Sequence, residues 1–285
     1  MSKPKRPIVA ICYDFDGTLS PGNMQEYNFF PGLGVKPRDF WREAGNRAKE
    51  HKGDHILSYM TLMIEKARAE SNKVKIDRKS FERHGEGVDL FDGVDKWFGR
   101  ISKFARKQNV KIEHYIVSSG LREMISGTKI ARHFKKIYAS AFMYDKHGVA
   151  SWPILALNYT TKTQFLFRIN KGISDEWDDK KINDYTPEWK RRIPFERMIY
   201  IGDGETDVPC MKLVKDQGGY SIAVYQPHSS KKKARARKLL KQDRVNFVAP
   251  ADYLSRTPVD LQVKNVIRKI AAKAEVDNLQ RKHGC

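Results

Sequence analysis

The sequence predicts an α/β protein: a Rossmann-like three-layer core on a mostly parallel sheet, with a small helical domain inserted after the first strand. Three observations predict it. Short β-branched apolar runs alternate with helical stretches, which implies right-handed crossovers and a sheet covered on both faces. Polar clusters rich in Asp, Ser and Gly fall at or near the ends of those runs, where ligands bind in open parallel sheets. A long stretch after the first run shows helical periodicity without a convincing strand.

Taken in order, Ile8-Val9-Ala10-Ile11-Cys12-Tyr13 reads as a buried strand. Between Leu19 and about Asp89, Phe40-Trp41, Ala44, Ala48, Ile56-Leu57, Met60, Met63-Ile64 and Ala67 recur at helical intervals. Met60 and Met63 fit core filling better than ligation. Residues 112–117 form a second strand, and 141–149 a hairpin with Asp-Lys-His-Gly as its turn. Thr160 to Ile169 opens polar and continues apolar, as a helix does. A polar, Pro-interrupted loop with a short helix is expected over 183–194. Strands follow at 198–202 and 220–225, an amphipathic helix at 231–241, and a packing helix from Val259 to Leu279.

Composition narrows the class. With 285 residues the chain can bury a substantial core without disulfides or structural metal. Hydrophobic residues at 40% and charged residues at 31% are ordinary for a globular protein. No apolar stretch approaches the roughly 18 residues of a membrane helix, and only six apolar residues precede Asp14, too few for a secretory signal. Three cysteines (Cys12, Cys210, Cys285) lack metal-ligand spacing. Cys12 and Cys210 are expected to be reduced core residues and the last residue, Cys285, to be mobile, so the expected address is cytoplasmic. The net charge of +20 fits either a nucleic-acid footprint or an enzyme that attracts anions. Its densest run, Lys231 to Lys238, has no interleaved aromatics and reads as a solvated helix face.

The chemistry concentrates in Asp14-Phe15-Asp16-Gly17-Thr18-Leu19. Cleaving a phosphate monoester needs up to about 10²¹-fold acceleration, and a carboxylate nucleophile divides that task into two easier steps. Asp14 is placed for attack, and Asp16 can protonate the leaving oxygen and later deprotonate water. Gly17 permits a backbone conformation closed to other residues, with amides free to bind phosphate oxygens. Ser118-Ser119-Gly120, before a helix-like stretch, suits an anion seat, although a plain N-cap explains either serine equally well. Gly202-Asp203-Gly204-Glu205-Thr206-Asp207 suits a hard divalent cation, most plausibly Mg²⁺, which would offset repulsion between phosphate and Asp14. Asp203 is the better direct ligand, and Asp207, one helical turn on, acts from behind it. Lys162 can bridge Asp14 and the phosphate, and Lys171 is its competitor.

Together, Asp-Phe-Asp-Gly-Thr-Leu, Val-Ser-Ser-Gly, Lys162 and Gly-Asp-Gly-Glu-Thr-Asp resemble, in order, the four motifs of the haloacid dehalogenase superfamily. The resemblance implies a Mg²⁺-dependent phosphoaspartyl mechanism with Asp14 as nucleophile and Asp16 as general acid/base. Phosphate binding would fall to Ser118 and Lys162, with Ser119 and Gly120 beside them. Metal binding would fall to the Asp14 side chain, the Asp16 carbonyl and the Asp203 side chain. The gap between the first two motifs matches a C1-type cap of the phosphoserine phosphatase-like branch. The implied organisation is a discontinuous core of residues 1–20 and 90–285 with a cap of 21–89; the tail after about 255 lies outside the resemblance. Residues 20–26 do not place an acidic group where phosphoserine phosphatases typically hold the substrate amine, and Glu26 and Arg42 read as solvated cap residues. The expected function is hydrolysis of a small phosphorylated metabolite, with a phosphatase of nucleic-acid ends, or a non-catalytic nucleic-acid binder, as alternatives. No membrane partner is expected, and the sequence specifies no oligomeric state.

Overall fold

The computed structural model describes residues 6–69 and 74–283. Strand β1 (Ile8–Tyr13) leads into four helices, α1 (Phe29–Leu33), α2 (Pro37–Glu50), α3 (His55–Ala69) and α4 (Arg78–Glu86). Then come α5 (Val94–Lys107), β2 (Lys111–Leu121), α6 (Arg122–Gly127), and the hairpin of β3 (Phe134–Tyr144) and β4 (Ala150–Leu155). The chain continues through α7 (Lys162–Lys171), α8 (Asp179–Asn183), β5 (Met198–Gly202) and α9 (Val208–Asp216). It closes with β6 (Tyr220–Tyr225), α10 (Ser230–Lys241), β7 (Phe247–Pro250) and α11 (Pro258–His283). The seven strands lie in the order β4-β3-β2-β1-β5-β6-β7, and all neighbours are parallel except β4 against β3.

Strand periodicity sorts the core into two layers, because alternate side chains point to opposite faces. Val9, Ile11 and Tyr13 of β1, with Ile199 and Ile201 of β5, enter one apolar cluster together with α1 to α6 and α11. Ala10 and Cys12, with Met198 and Tyr200, enter the other, covered by α7, α9 and α10. The expected three-layer α/β architecture is therefore present.

Local signals explain the helices that matter for the site. In α2, Pro37 sits in the first turn, where its missing N–H costs nothing, and Arg47 and Lys49 face the negative C-terminal end. Asp77 caps α4 by accepting from the Ser80 amide at 2.9 Å. Helix α5 buries Val94, Trp97, Phe98, Ile101 and Ala105, one continuous helical stripe. Trp97 Nε1 donates to Tyr13 Oη at 2.9 Å, and Tyr13 Oη lies 3.0 Å from His114 Nδ1, so a buried polar line ties α5 to β1 and β2. Burial pushes the His114 imidazole down to about 3.

The helices of residues 29–86 share the apolar cluster on their side of the sheet, and Phe81 stacks on Phe142 of β3 at 5.2 Å. Helix α4 meets α6 backbone to backbone: a Cβ at Gly85 would overlap the Met124 carbonyl. Ala150 N also donates to Ile76 O at 2.9 Å, linking this segment to the hairpin edge.

The four expected strands are present, and the hairpin turn falls at 145–149 between strands longer than anticipated. Cys12 and Cys210 are buried free thiols, and Met60 and Met63 fill the core. Cys285 lies outside the described residues. Among the described residues no helix is long and apolar enough to cross a membrane.

Candidate active site

Strand β1 lies between β2 and β5, so their C-terminal ends bring three loops together. Where β1 ends, Asp14 N still donates to Ile201 O at 3.0 Å, which fixes the first carboxylate against β5. The following loop closes on itself: Phe15 O accepts from the amides of Thr18, Leu19 and Ser20, and Gly17 N donates to Ser20 O at 2.8 Å. Gly17 has φ of +73°, and a Cβ there would overlap Asp203 Oδ2. Glycine therefore both permits the turn and lets it pack against the Asp203 carboxylate.

Four carboxylates surround one buried lysine. Lys162, the first residue of α7, places Nζ 3.2 Å from Asp14 Oδ1 and 2.8 Å from Asp207 Oδ1, which also accepts from Tyr200 Oη at 2.7 Å. The two carboxylates hold Lys162 in its charged form despite complete burial, raising its pKa above the ordinary lysine value. Burial and the neighbouring Asp207 charge push Asp14 up to about 6, against the opposing pull of Lys162 and of hydrogen bonds from Phe15 N and Ser118. Burial, Asp207 and Asp14 push Asp203 up to about 7. Asp16 lies well above the usual carboxylate range, through burial and the Asp14 charge.

The excess negative charge identifies what fits. Carboxylate oxygens of Asp14, Asp203 and Asp207 lie within 4.8 Å of one another, and Asp207 Oδ2 is buried without a hydrogen-bond partner. A hard divalent cation with oxygen ligands suits that donor set. Asp207, expected behind Asp203, brings an oxygen within that same 4.8 Å without lining the space above.

The serine cluster differs from its expected setting. Strand β2 continues through Ser118-Ser119-Gly120, with an irregular register between Ser118 and Leu121, and α6 begins only at Arg122. Neither serine is therefore an N-cap. Ser118 Oγ accepts from Gly120 N at 3.1 Å, while Ser119 O accepts from Tyr59 Oη at 2.7 Å and Ser140 Oγ at 3.1 Å. The irregular strand end faces Asp14 and carries the pocket-lining backbone of Gly120. Lys171 is excluded as a competitor of Lys162, because its ammonium binds the carbonyls of Ile182 and Asp184.

A cavity of about 600 Å³ opens over this cluster, with Asp14, Asp16, Ser118 and Asp203 in its floor. Its other wall comes from the helical segment. Glu26, read from sequence as solvated, lines the cavity, and Oε1 accepts from Trp41 Nε1 at 2.7 Å and Asn23 Nδ2 at 2.5 Å. Trp41 meets Tyr59 edge to face at 5.6 Å. Arg42 is exposed, paired to Asp39 at 2.8 Å and outside the cavity. Met24 N donates to Asp16 Oδ1 at 3.0 Å, joining the two walls. Helix α10 carries most of its cations to solvent as expected, but Lys232 lines the cavity. Lys232 was indistinguishable within its basic run, and nothing in spacing linked Glu26, Trp41 and Tyr59.

The chain is similar to known proteins in both sequence and fold. A protein of Borreliella burgdorferi described as uncharacterized is 33% identical over 276 residues, covering 88% of this chain and 93% of its own. A HAD-family hydrolase from Salmonella enterica serovar Typhi superposes with a TM-score of 0.55 at 16% identity, covering 92% of this chain and 72% of that one. A phosphoserine phosphatase carrying a phospho-aspartyl intermediate analogue superposes at 0.52 with 14% identity, covering 85% of this chain and 93% of that one. The family model for haloacid dehalogenase-like hydrolases matches residues 11–212, from β1 through the Asp207 loop, and the chain belongs to that family.

Proposed function

We propose that the protein is a Mg²⁺-dependent phosphatase that hydrolyses the phosphate monoester of a small metabolite through an aspartyl-phosphate. The observation that carries this reading is the buried Asp14–Lys162–Asp207 arrangement beside Asp203, under a cavity whose floor holds Asp14, Asp16 and Asp203. Asp14 would attack phosphorus, forming the aspartyl-phosphate as the ester P–O bond breaks. Asp16, whose proton is favoured by burial and the Asp14 charge, gives that proton to the departing oxygen. As a carboxylate it then takes a proton from water, whose oxygen attacks phosphorus and frees Asp14 and inorganic phosphate.

The other residues position and balance charge. Lys162 and the Ser118 hydroxyl, with the backbone of Ser119 and Gly120, bind the phosphate oxygens. The Asp14 and Asp203 side chains and the Asp16 carbonyl would hold the cation, with Asp207 adjacent; the cation supplies charge neutralisation between nucleophile and phosphate. Residues 21–89 act as the cap on a core of 1–20 and 90–285, and their Glu26, Trp41 and Tyr59 wall suits the leaving group of a small ester.

Incubation with a panel of phosphorylated metabolites, with Mg²⁺ or with EDTA, tests the reading. Phosphate release from at least one member, lost in EDTA and in Asp14→Asn, is expected; release that persists in Asp14→Asn would refute the mechanism. One observation favours a second reading, a phosphatase of nucleic-acid ends: Lys232 reaches the cavity from a helix whose other cations face solvent. Steep weakening of oligonucleotide dephosphorylation with salt would support it, and equal rates on a free nucleotide and an oligonucleotide would remove it.

A further inference from the structure

A second cavity, of about 150 Å³, lies between β2, β3 and the C-terminal end of α7 and shares no lining residue with the catalytic cavity. Every charged residue in its lining is a cation: Lys135, Lys136, Arg168 and Arg192. Successive residues of a regular strand face opposite sides, so two adjacent lysines should not line one cavity. They do because the β2–β3 register shifts, from His114 opposite Phe134 to Tyr115 opposite Lys136, leaving Lys135 as the extra residue of a bulge. Bulges re-aim side chains in this way and recur beside functional sites.

The charge is not neutralised locally. Arg168 is buried, and its guanidinium donates to three neutral carbonyls, those of Asp175, Glu176 and Asp178, while its Nε has no partner. Four carboxylates stand nearby: Asp175, Asp178, which pairs with Lys181 at 2.7 Å, and two that are each shared between two cations. Glu113 pairs with Arg192 at 2.6 Å and Lys111 at 3.2 Å, and Glu176 with Arg122 at 3.2 Å and Lys136 at 3.4 Å. Lys135 is exposed, with no ion pair among the described residues. Seven cations, Lys181 included, therefore face four carboxylates, and the excess is positive.

We propose that this cavity is a binding site for a tetrahedral oxyanion, either inorganic phosphate or the phosphate group of a small phosphomonoester. The volume admits such a group and little more, the fixed Arg168 and Arg192 guanidiniums supply positive charge at its walls, and the two bulge lysines supply charged donors. The site stands at the far end of the helix whose first residue is Lys162, about 9 Å along α7 from Lys162 to Arg168. It does not depend on the catalytic reading above.

Lysine acylation of the full chain, read peptide by peptide by mass spectrometry at constant ionic strength, tests the proposal. Inorganic phosphate should slow modification of Lys135 and Lys136 several-fold and saturably, leaving the exposed Lys103 of α5 unchanged. Glycerol phosphate in a parallel series identifies the source, since protection at lower concentration by the ester assigns the site to phosphomonoesters and the reverse order to the free ion. The same protection should persist in Asp14→Asn, and equilibrium dialysis should show one phosphate fewer per chain in the folded Lys135→Gln/Lys136→Gln variant. Absence of saturable protection, equal slowing of Lys103, or protection that vanishes in Asp14→Asn would overturn it.

Discussion

The floor and the outer wall of the cavity over Asp14 are built on opposite principles. The floor is made of strand ends, and behind it Lys162, Asp207 and Tyr200 hold Asp14 in a buried web of ion pairs and hydrogen bonds. The outer wall comes from separate helical turns, where Glu26, Trp41 and Tyr59 meet through one hydrogen bond and one edge-to-face contact. A floor in which each charge is fixed by another suits an invariant chemical step, since groups set beforehand need no reorganisation during reaction. A wall of aromatic faces around one carboxylate suits selection of a leaving group and can vary without disturbing the floor.

Changes in the floor should therefore be severe and changes in the wall selective. Asp14→Asn is expected to lower turnover of any accepted phosphate ester by about 10⁴-fold or more, because a nucleophile acts as a unit with its partners; steady-state rates check it. Lys162→Gln should destabilise the fold by about 3–5 kcal/mol, since two buried carboxylates lose their shared cation. Urea unfolding measures that cost, and the exposed Lys238→Gln on α10 serves as a reference expected within about 0.5 kcal/mol of the parent.

Floor electrostatics also set a pH dependence. Asp14 and Asp203 have folded pKa values of about 6 and about 7, raised above the ordinary carboxylate value. The folded state then binds more protons than the unfolded chain between the ordinary carboxylate value and these raised ones, so stability falls as pH rises from about 4 to about 7. Thermal unfolding in EDTA should show that decline, and Mg²⁺ should restore stability most at the alkaline end, where both carboxylates are charged. A melting temperature in EDTA that rises across this window would contradict the arrangement. The smallest effect is assigned to the wall. Trp41→Phe removes the bond to Glu26, a loss of about 1 kcal/mol, and should raise KM about fivefold for the preferred substrate with little change in kcat.

The same contrast explains what was legible in the sequence. Strands β1 and β5 announce themselves because central parallel strands are apolar on both faces, and the carboxylates follow directly at their ends. Strand β7 has only four residues, and the start of β3, Phe134-Lys135-Lys136, hides behind two lysines and a bulge. Helix α5 carries a clear stripe, Val94 to Ala105, but held no chemistry to draw attention to it. Asp14, Lys162 and Asp207 are far apart in sequence, yet each sits at a strand end or helix start, so topology alone brings them together. Glu26, Trp41 and Tyr59 converge only through packing of α2 and α3, which no spacing encodes. Ser118 and Ser119 were legible as residues but not as setting, because a register irregularity extended β2 past them.

Asp14 is the residue proposed to carry the phosphoryl group. Its most direct test is rapid acid quenching of the protein during turnover of p-nitrophenyl phosphate with Mg²⁺, followed by peptide mass spectrometry. A phosphoryl adduct is expected on the peptide containing Asp14, absent in EDTA and in Asp14→Asn. Turnover accompanied by an adduct on another residue, or by no adduct under conditions where dephosphorylation limits the rate, would contradict it.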